Sequence, residues 1–370
     1  MNPSSTFKQY ASQPNHGGYF ESCGNDNIDK FLSSSLTSIK NCVIGITKDN
    51  ADLSSINYGF TCKDNFSAHS SIFHSEDIIA ISACLPLKIL SLAKAASTLK
   101  YERNSGYWLK YTGNIEYDFN KSWKFRQYIE DESFLNKTGD YNTDHFIGSI
   151  TEISIRFIGL HEFFHIAAGH TRWLKKTFSI ASIDDGLDCE SDDLQNSIGD
   201  IKKILEWDAD CHAIHRLVLA TFNAAPSDKR DEYGKNIFTI NPYGPYGVWQ
   251  QAAYFLIFSI TVCYFFLFNQ SLSISRYHPD NLFRMRSSIY YILQISFSIS
   301  GIHPETMMQI VIQALGDSKK FWVNFSEKYS LDFDILEFLN IKNIENVFED
   351  EKPYREKMLY FLNNGLSRRF

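Results

Sequence analysis

Apolar residues recur at helical spacing most densely between 149 and 168, where Ile153, Ile155, Phe157, Ile158, Leu160, Phe163, Phe164 and Ile166 fall in a stretch poor in charge. That pattern predicts a helix buried on most of its faces. A second helical pattern follows at 194–222, carried by Ile201, Ile204, Leu205, Ala209, Ala213, Leu217 and Val218. A third run, Ala252 to Phe268, is apolar throughout except for Ser259 and Thr261, and lies within a segment, 237–275, that holds no charged side chain. At 17 residues it sits at the short end for a membrane span. We read it as a buried core helix, with a span as the alternative. His278-Pro279-Asp280 then opens a helix through Arg284, Ile289 and Leu293. Further amphipathic segments appear at Met307–Leu315, Trp322–Tyr329, Ile335–Leu339 and in a last helix ending at Leu359–Leu362.

The first third of the chain reads differently. Residues 1–25 are polar and irregular, and 26–40 suit a short helix. Val43–Thr47 and Ile56–Thr61 have strand character around a turn signal at Asp49, Asn50 and Asp52. Residues 76–100 are apolar and Ala-rich, broken by Pro86 and Lys88, which predicts a helix pair or a kinked helix. Tyr111–Phe119 resembles another strand, and 121–148 reads mostly as loop with a short helix. The class expected is mainly α (α+β), with a small sheet before the long helices.

Composition narrows the function classes. The chain has 370 residues, 44% of them hydrophobic, with 30 Phe and 20 Tyr, which is enough to bury a large core. The net charge is −7 and no basic stripe stands out, so nucleic acid is not an expected partner. The acidic run at 184–193 reads as a solvated loop, because its ligand spacing does not fit a calcium loop. Seven cysteines, an odd number without a C-x-x-C pair, and a polar Met1–Thr6 lacking a signal core point to a reducing cytoplasm. An inner-membrane location goes with the alternative reading of 252–268. No glycine pattern for nucleotide phosphates occurs.

The chemistry concentrates in His161-Glu162-Phe163-Phe164-His165. On a helix, positions i and i+4 share a face, so His161 and His165 can offer two imidazoles to one metal ion. Glu162 stands beside the metal as a candidate general base. The motif needs a third ligand. Glu206 and Asp210 are again i and i+4, in the second helical pattern. Glu206 can complete a three-ligand zinc site, and Asp210, one turn on, can orient a ligating imidazole from behind. Ala167, Ala168 and Gly169 permit close approach of another helix, and Gly169 suits a helix end. A fourth ligand from His170 or Cys211 would make the zinc purely structural, although the helix angle of Cys211, off the Glu206 face, favours a packed thiol. His69 and His74 read as structural or exposed.

H-E-x-x-H followed by x-x-x-G-H, then E-x-x-A-D at Glu206–Asp210 and His278-Pro279 with Arg284, resembles the gluzincin metallopeptidases. The resemblance is to the branch of HtpX-type and CAAX prenyl proteases. The metzincin pattern does not fit, because Ala168 and Thr171 stand where Gly and His are needed. A narrower resemblance is to the Lit-type phage-exclusion peptidases. These resemblances imply a zincin-like helical core at 149–300, flanked by an N-terminal region (1–148) with the small sheet and a helical region at 301–370. They imply Zn²⁺ on His161, His165 and Glu206, catalysis by Glu162 with His278 as oxyanion donor, and Asp210 and Arg284 supporting the ligands. Tyr243, Tyr246 and Tyr277 are rival oxyanion donors. A protein substrate, a role in phage defence and an activating partner follow from the Lit-type likeness, and membrane association through 252–268 from membrane-embedded members of the branch. The expected activity is that of a zinc endopeptidase. A membrane-inserted protease and a zinc-stabilised binding module are the alternatives.

Overall fold

The computed structural model describes residues 4–48, 50–63, 67–98, 135–139, 141–181, 192–224, 248–270, 280–301, 303–329 and 346–370. It is mainly α, with one small sheet among the described residues. The element order is α1 (Ser5–Ala11), α2 (Asp26–Thr47), α3 (Ala51–Ser54), β1 (Asn57–Thr61), β2 (Ala68–Phe73), β3 (Glu76–Ser82) and α4 (Cys84–Thr98). Then come α5 (Tyr141–Ala167), α6 (His170–Phe178), α7 (Asp192–Ala224), α8 (Val248–Gln270), α9 (Asn281–Ser300), α10 (Pro304–Tyr329), α11 (Val347–Asp350) and α12 (Lys352–Asn363).

Helix α5 is the axis of the molecule. It packs against α7, α4, α8 and α2 and along β2. This explains why its sequence is apolar nearly all round rather than amphipathic: Ile150, Ile153, Ile155, Phe157, Leu160, Phe163 and Ile166 are all buried. Gly159 lets α2 come close, since a Cβ there would lie 2.6 Å from three carbons of Ile39. Helix α8 answers the question raised by 252–268. Its residues 251–264 are buried in the core, packed between α10, α9 and α5. No helix among the described residues is long and apolar enough to cross a membrane.

The sheet has the order β1-β3-β2, with β1 parallel and β2 antiparallel to β3. His74 and Ser75 turn the β2–β3 hairpin with φ of +47° and +68°, the backbone of a two-residue hairpin turn. Two expectations are corrected. Val43–Thr47 is not a strand but the last turn of α2, where Cys42 and Val43 face the core. Residues 76–82 are not helical but form the central strand, and the helix begins at Cys84. Pro86 then falls in the first turn of α4, where its missing N–H costs no intrahelical bond. The strand expected at 56–61 is β1, and the two amphipathic stretches between 307 and 329 are one continuous helix, α10. Tyr111–Phe119 and Ile335–Leu339 lie outside the described residues.

Candidate metal centre

Helices α5 and α7 bring the site together. The Nε2 atoms of His161 and His165, one turn apart on α5, lie 3.0 Å from each other. Glu206 of α7 reaches into the same point, with Oε2 3.3 Å from His161 Nε2 and Oε1 3.2 Å from His165 Nε2. A tetrahedral ion with bonds of about 2.0–2.1 Å holds its ligand atoms roughly 3.3 Å apart. The spacing therefore fits one ion, and among the described residues this is the one His/Cys/Asp/Glu group that can hold a metal. Ala209, fully buried on α7, allows the close approach.

The charge of the site also calls for a cation. Glu206 and Asp210 are both buried, and both contact the guanidinium of the buried Arg284 of α9. Burial works against a proton on either imidazole. At His161, Glu206 and Asp210 overcome it and hold the pKa up at about 10. At His165, burial wins and the neighbouring His161 adds to it, taking the pKa down to about 3. The two carboxylates thus favour positive charge at His161, while burial disfavours it at His165.

Asp210 and Arg284 stand where the sequence put them. Asp210 Oδ1 is 2.9 Å from His161 Nδ1, a short contact outside the angular range of an aligned hydrogen bond. On its other side Asp210 accepts two bonds from Arg284, from Nε at 2.6 Å and from Nη2 at 2.9 Å. Burial pushes the Asp210 carboxyl up, but Arg284 and His161 outweigh it and hold it below the usual carboxylate range. The guanidinium lies over the ring of the buried Tyr264, 5.5 Å from its centroid. Glu162 follows His161 on α5 and is 7% exposed.

Some sequence expectations come out differently. His170 is not a fourth ligand: its Nδ1 faces His165 Nδ1 at 3.0 Å, behind the ring and away from the triad. Cys211, by contrast, is the packed thiol that its helix angle implied. It packs in a second apolar cluster with Trp207, and burial, followed by Glu351, pushes its thiol pKa well up. Asp280 caps α9 by accepting the Leu282 N–H. His278, with Tyr243, Tyr246, Tyr277 and most of the acidic run, lies outside the described residues. Sequence reasoning missed Asp208, whose Oδ2 is 3.1 Å from His170 Nε2, and Tyr264. Asp208 could have been found: two residues past Glu206 it points off the ligand face, so a buried acid there needs a partner of its own. Arg368 and Arg369 are both paired inward, to Asp208 and Asp77.

No protein-family model, curated protein or solved structure matches this chain.

Proposed function

We propose that this chain is a zinc-dependent endopeptidase acting on a protein substrate. The observation that supports it best is the convergence of His161, His165 and Glu206 on one point, with a carboxylate, Glu162, adjacent to the first ligand on the same helix. Two imidazoles and one carboxylate suit zinc, and three protein ligands leave a coordination position for chemistry. When bound, zinc would supply a Lewis acid that polarises the scissile carbonyl and acidifies water.

The chain's own residues supply the rest. Glu162 takes the proton of the attacking water and returns it to the leaving amine. Asp210 holds His161 from behind, and Arg284 keeps Asp210 ionised. His161 and Glu162, at 8% and 7% exposure, lie nearer solvent than His165 and Glu206, at 0% and 1%, so substrate approaches from the Glu162 side. Activation by a partner and a role in phage exclusion rest on the Lit-type resemblance alone. A second reading, zinc as a structural staple, draws support from the burial of His165 and Glu206.

Glu162→Gln separates the two readings. Incubated with a library of proteome-derived peptides, the zinc-loaded wild type should create new termini detectable by mass spectrometry. The variant should lose at least about 100-fold of that activity, the scale of a general acid–base, while keeping its zinc. Equal activity in both would remove Glu162 from the mechanism. No cleavage by either, with zinc bound, would favour the staple.

A further inference from the structure

A line of side chains runs from the metal centre to the last residues of the chain, and none of them touches the triad's focal point. With Nε2 of His165 facing the triad, its proton is assigned to Nδ1, which donates to His170 Nδ1 at 3.0 Å. His170 then carries its own proton on Nε2 and donates to Asp208 Oδ2 at 3.1 Å. His165 and His170 are both fully buried. The other oxygen of Asp208 accepts from Arg368 Nη2 at 2.8 Å.

The segment bearing Arg368 is itself fastened to the motif helix. The Arg369 N–H donates to the Ala167 carbonyl at 2.7 Å, two residues past His165. Arg369 Nη1 pairs with the buried Asp77 of β3 at 2.5 Å, and the Asn50 side chain donates to the Arg369 carbonyl. The Phe370 ring packs edge-on against both Phe164 and His212. Gly169, at φ +81°, leaves the space that the Ser367 carbonyl occupies, where any Cβ would collide.

We infer that Arg368 is a positioning residue for the metal centre: through Asp208 and His170 it fixes the tautomer and ring orientation of His165, so the C-terminal segment sets how tightly the site holds its metal. The inference rests on the reading of the triad as a metal site. A ligating histidine that donates its second nitrogen toward a carboxylate is a better and better-aimed ligand, and losing such partners typically costs roughly 10–100-fold in metal affinity. Here the carboxylate acts through an intervening imidazole, and Arg368 in turn fixes the carboxylate.

The test is zinc affinity of the full chain, by competition with a chromophoric chelator, in the wild type, Asp208→Asn, Arg368→Ala and Arg368→Lys. The thermal midpoint of each zinc-free form and the visible spectrum of each cobalt-loaded form are read alongside. We expect Asp208→Asn to bind zinc about 10–100-fold more weakly and to shift the cobalt bands. Arg368→Ala should weaken binding several-fold at a nearly unchanged zinc-free midpoint, and Arg368→Lys should restore it. The Arg368 side chain is about one-third exposed, so its removal tests the line even if Asp208→Asn does not fold. Wild-type affinity and an unshifted cobalt spectrum in Arg368→Ala would overturn the inference while leaving the triad standing. Absence of zinc from the wild type would overturn both.

Discussion

Arg284 is the residue on which the buried charges of the site balance. Its guanidinium contacts both Asp210 and Glu206, and all three side chains are at least nine-tenths buried. Replacing it with methionine leaves two carboxylates in the interior without their permanent countercharge. Breaking a buried pair from one side costs about 3–5 kcal/mol, so zinc-free Arg284→Met should unfold at markedly lower urea than zinc-free wild type. Equal urea midpoints would show that the pairing carries no such weight. At this scale much was legible in the sequence. The i, i+4 spacings of His161/His165 and Glu206/Asp210 define two helix faces, and those faces do meet. The partners behind them were less legible, because a link such as His170 to Asp208 joins positions whose distance in space no periodicity encodes. Tyr264 was hidden for a related reason: inside an uninterrupted apolar run, one buried tyrosine looks like any other.

At the scale of elements, helices came through better than strands. The long apolar periods of α5, α7 and α8 exceed any strand, so their type was settled by length. Short apolar runs carry no such safeguard. Val43-Ile44-Gly45-Ile46-Thr47 has the β-branched content of a strand, yet continues α2 because its buried side faces the core. Arg216 of α7 also donates to the Cys42 carbonyl at 2.7 Å. Residues 76–82 have the opposite history: an apolar run that suits a helix is instead the strand held on both sides by β1 and β2. The α2–α5 contact yields a prediction at this scale. Gly159→Ala places a methyl group against Ile39 at a crossing that has no room for it. Overpacking of this kind costs about 1–3 kcal/mol, against the gain alanine would bring to an exposed helix. Calorimetry should show a lower unfolding temperature, and a stabilised variant would contradict the crossing as described.

For the whole molecule, the joint between α1 and the sheet ties stability to pH. His69 of β2 is buried, its Nε2 2.7 Å from the Tyr10 hydroxyl, with His16 stacked on it. Burial, with His16 and Lys63 nearby, takes its pKa from an ordinary 6.5 down to about 3. The unfolded chain therefore takes up a proton near pH 6.5 that the folded chain refuses. The stabilisation is fully present above pH 6.5 and is lost as pH falls towards 3. The slope from one such group approaches about 1.4 kcal/mol per pH unit. His69→Gln should lose less stability than wild type between pH 6.5 and 4 in urea titrations, and parallel curves would exclude His69 as a source.

At the same scale stands the proposal that distant segments fold so that three side chains hold one ion. It is tested most directly by zinc content, measured in the purified wild type, in Glu206→Ala, and in the double variant His161→Ala/His165→Ala. We expect about one zinc per wild-type chain and its loss in both variants. Zinc kept by the Glu206 variant would contradict the ligand set. Zinc absent from every sample would contradict the metal centre itself and leave two buried histidines beside a glutamate.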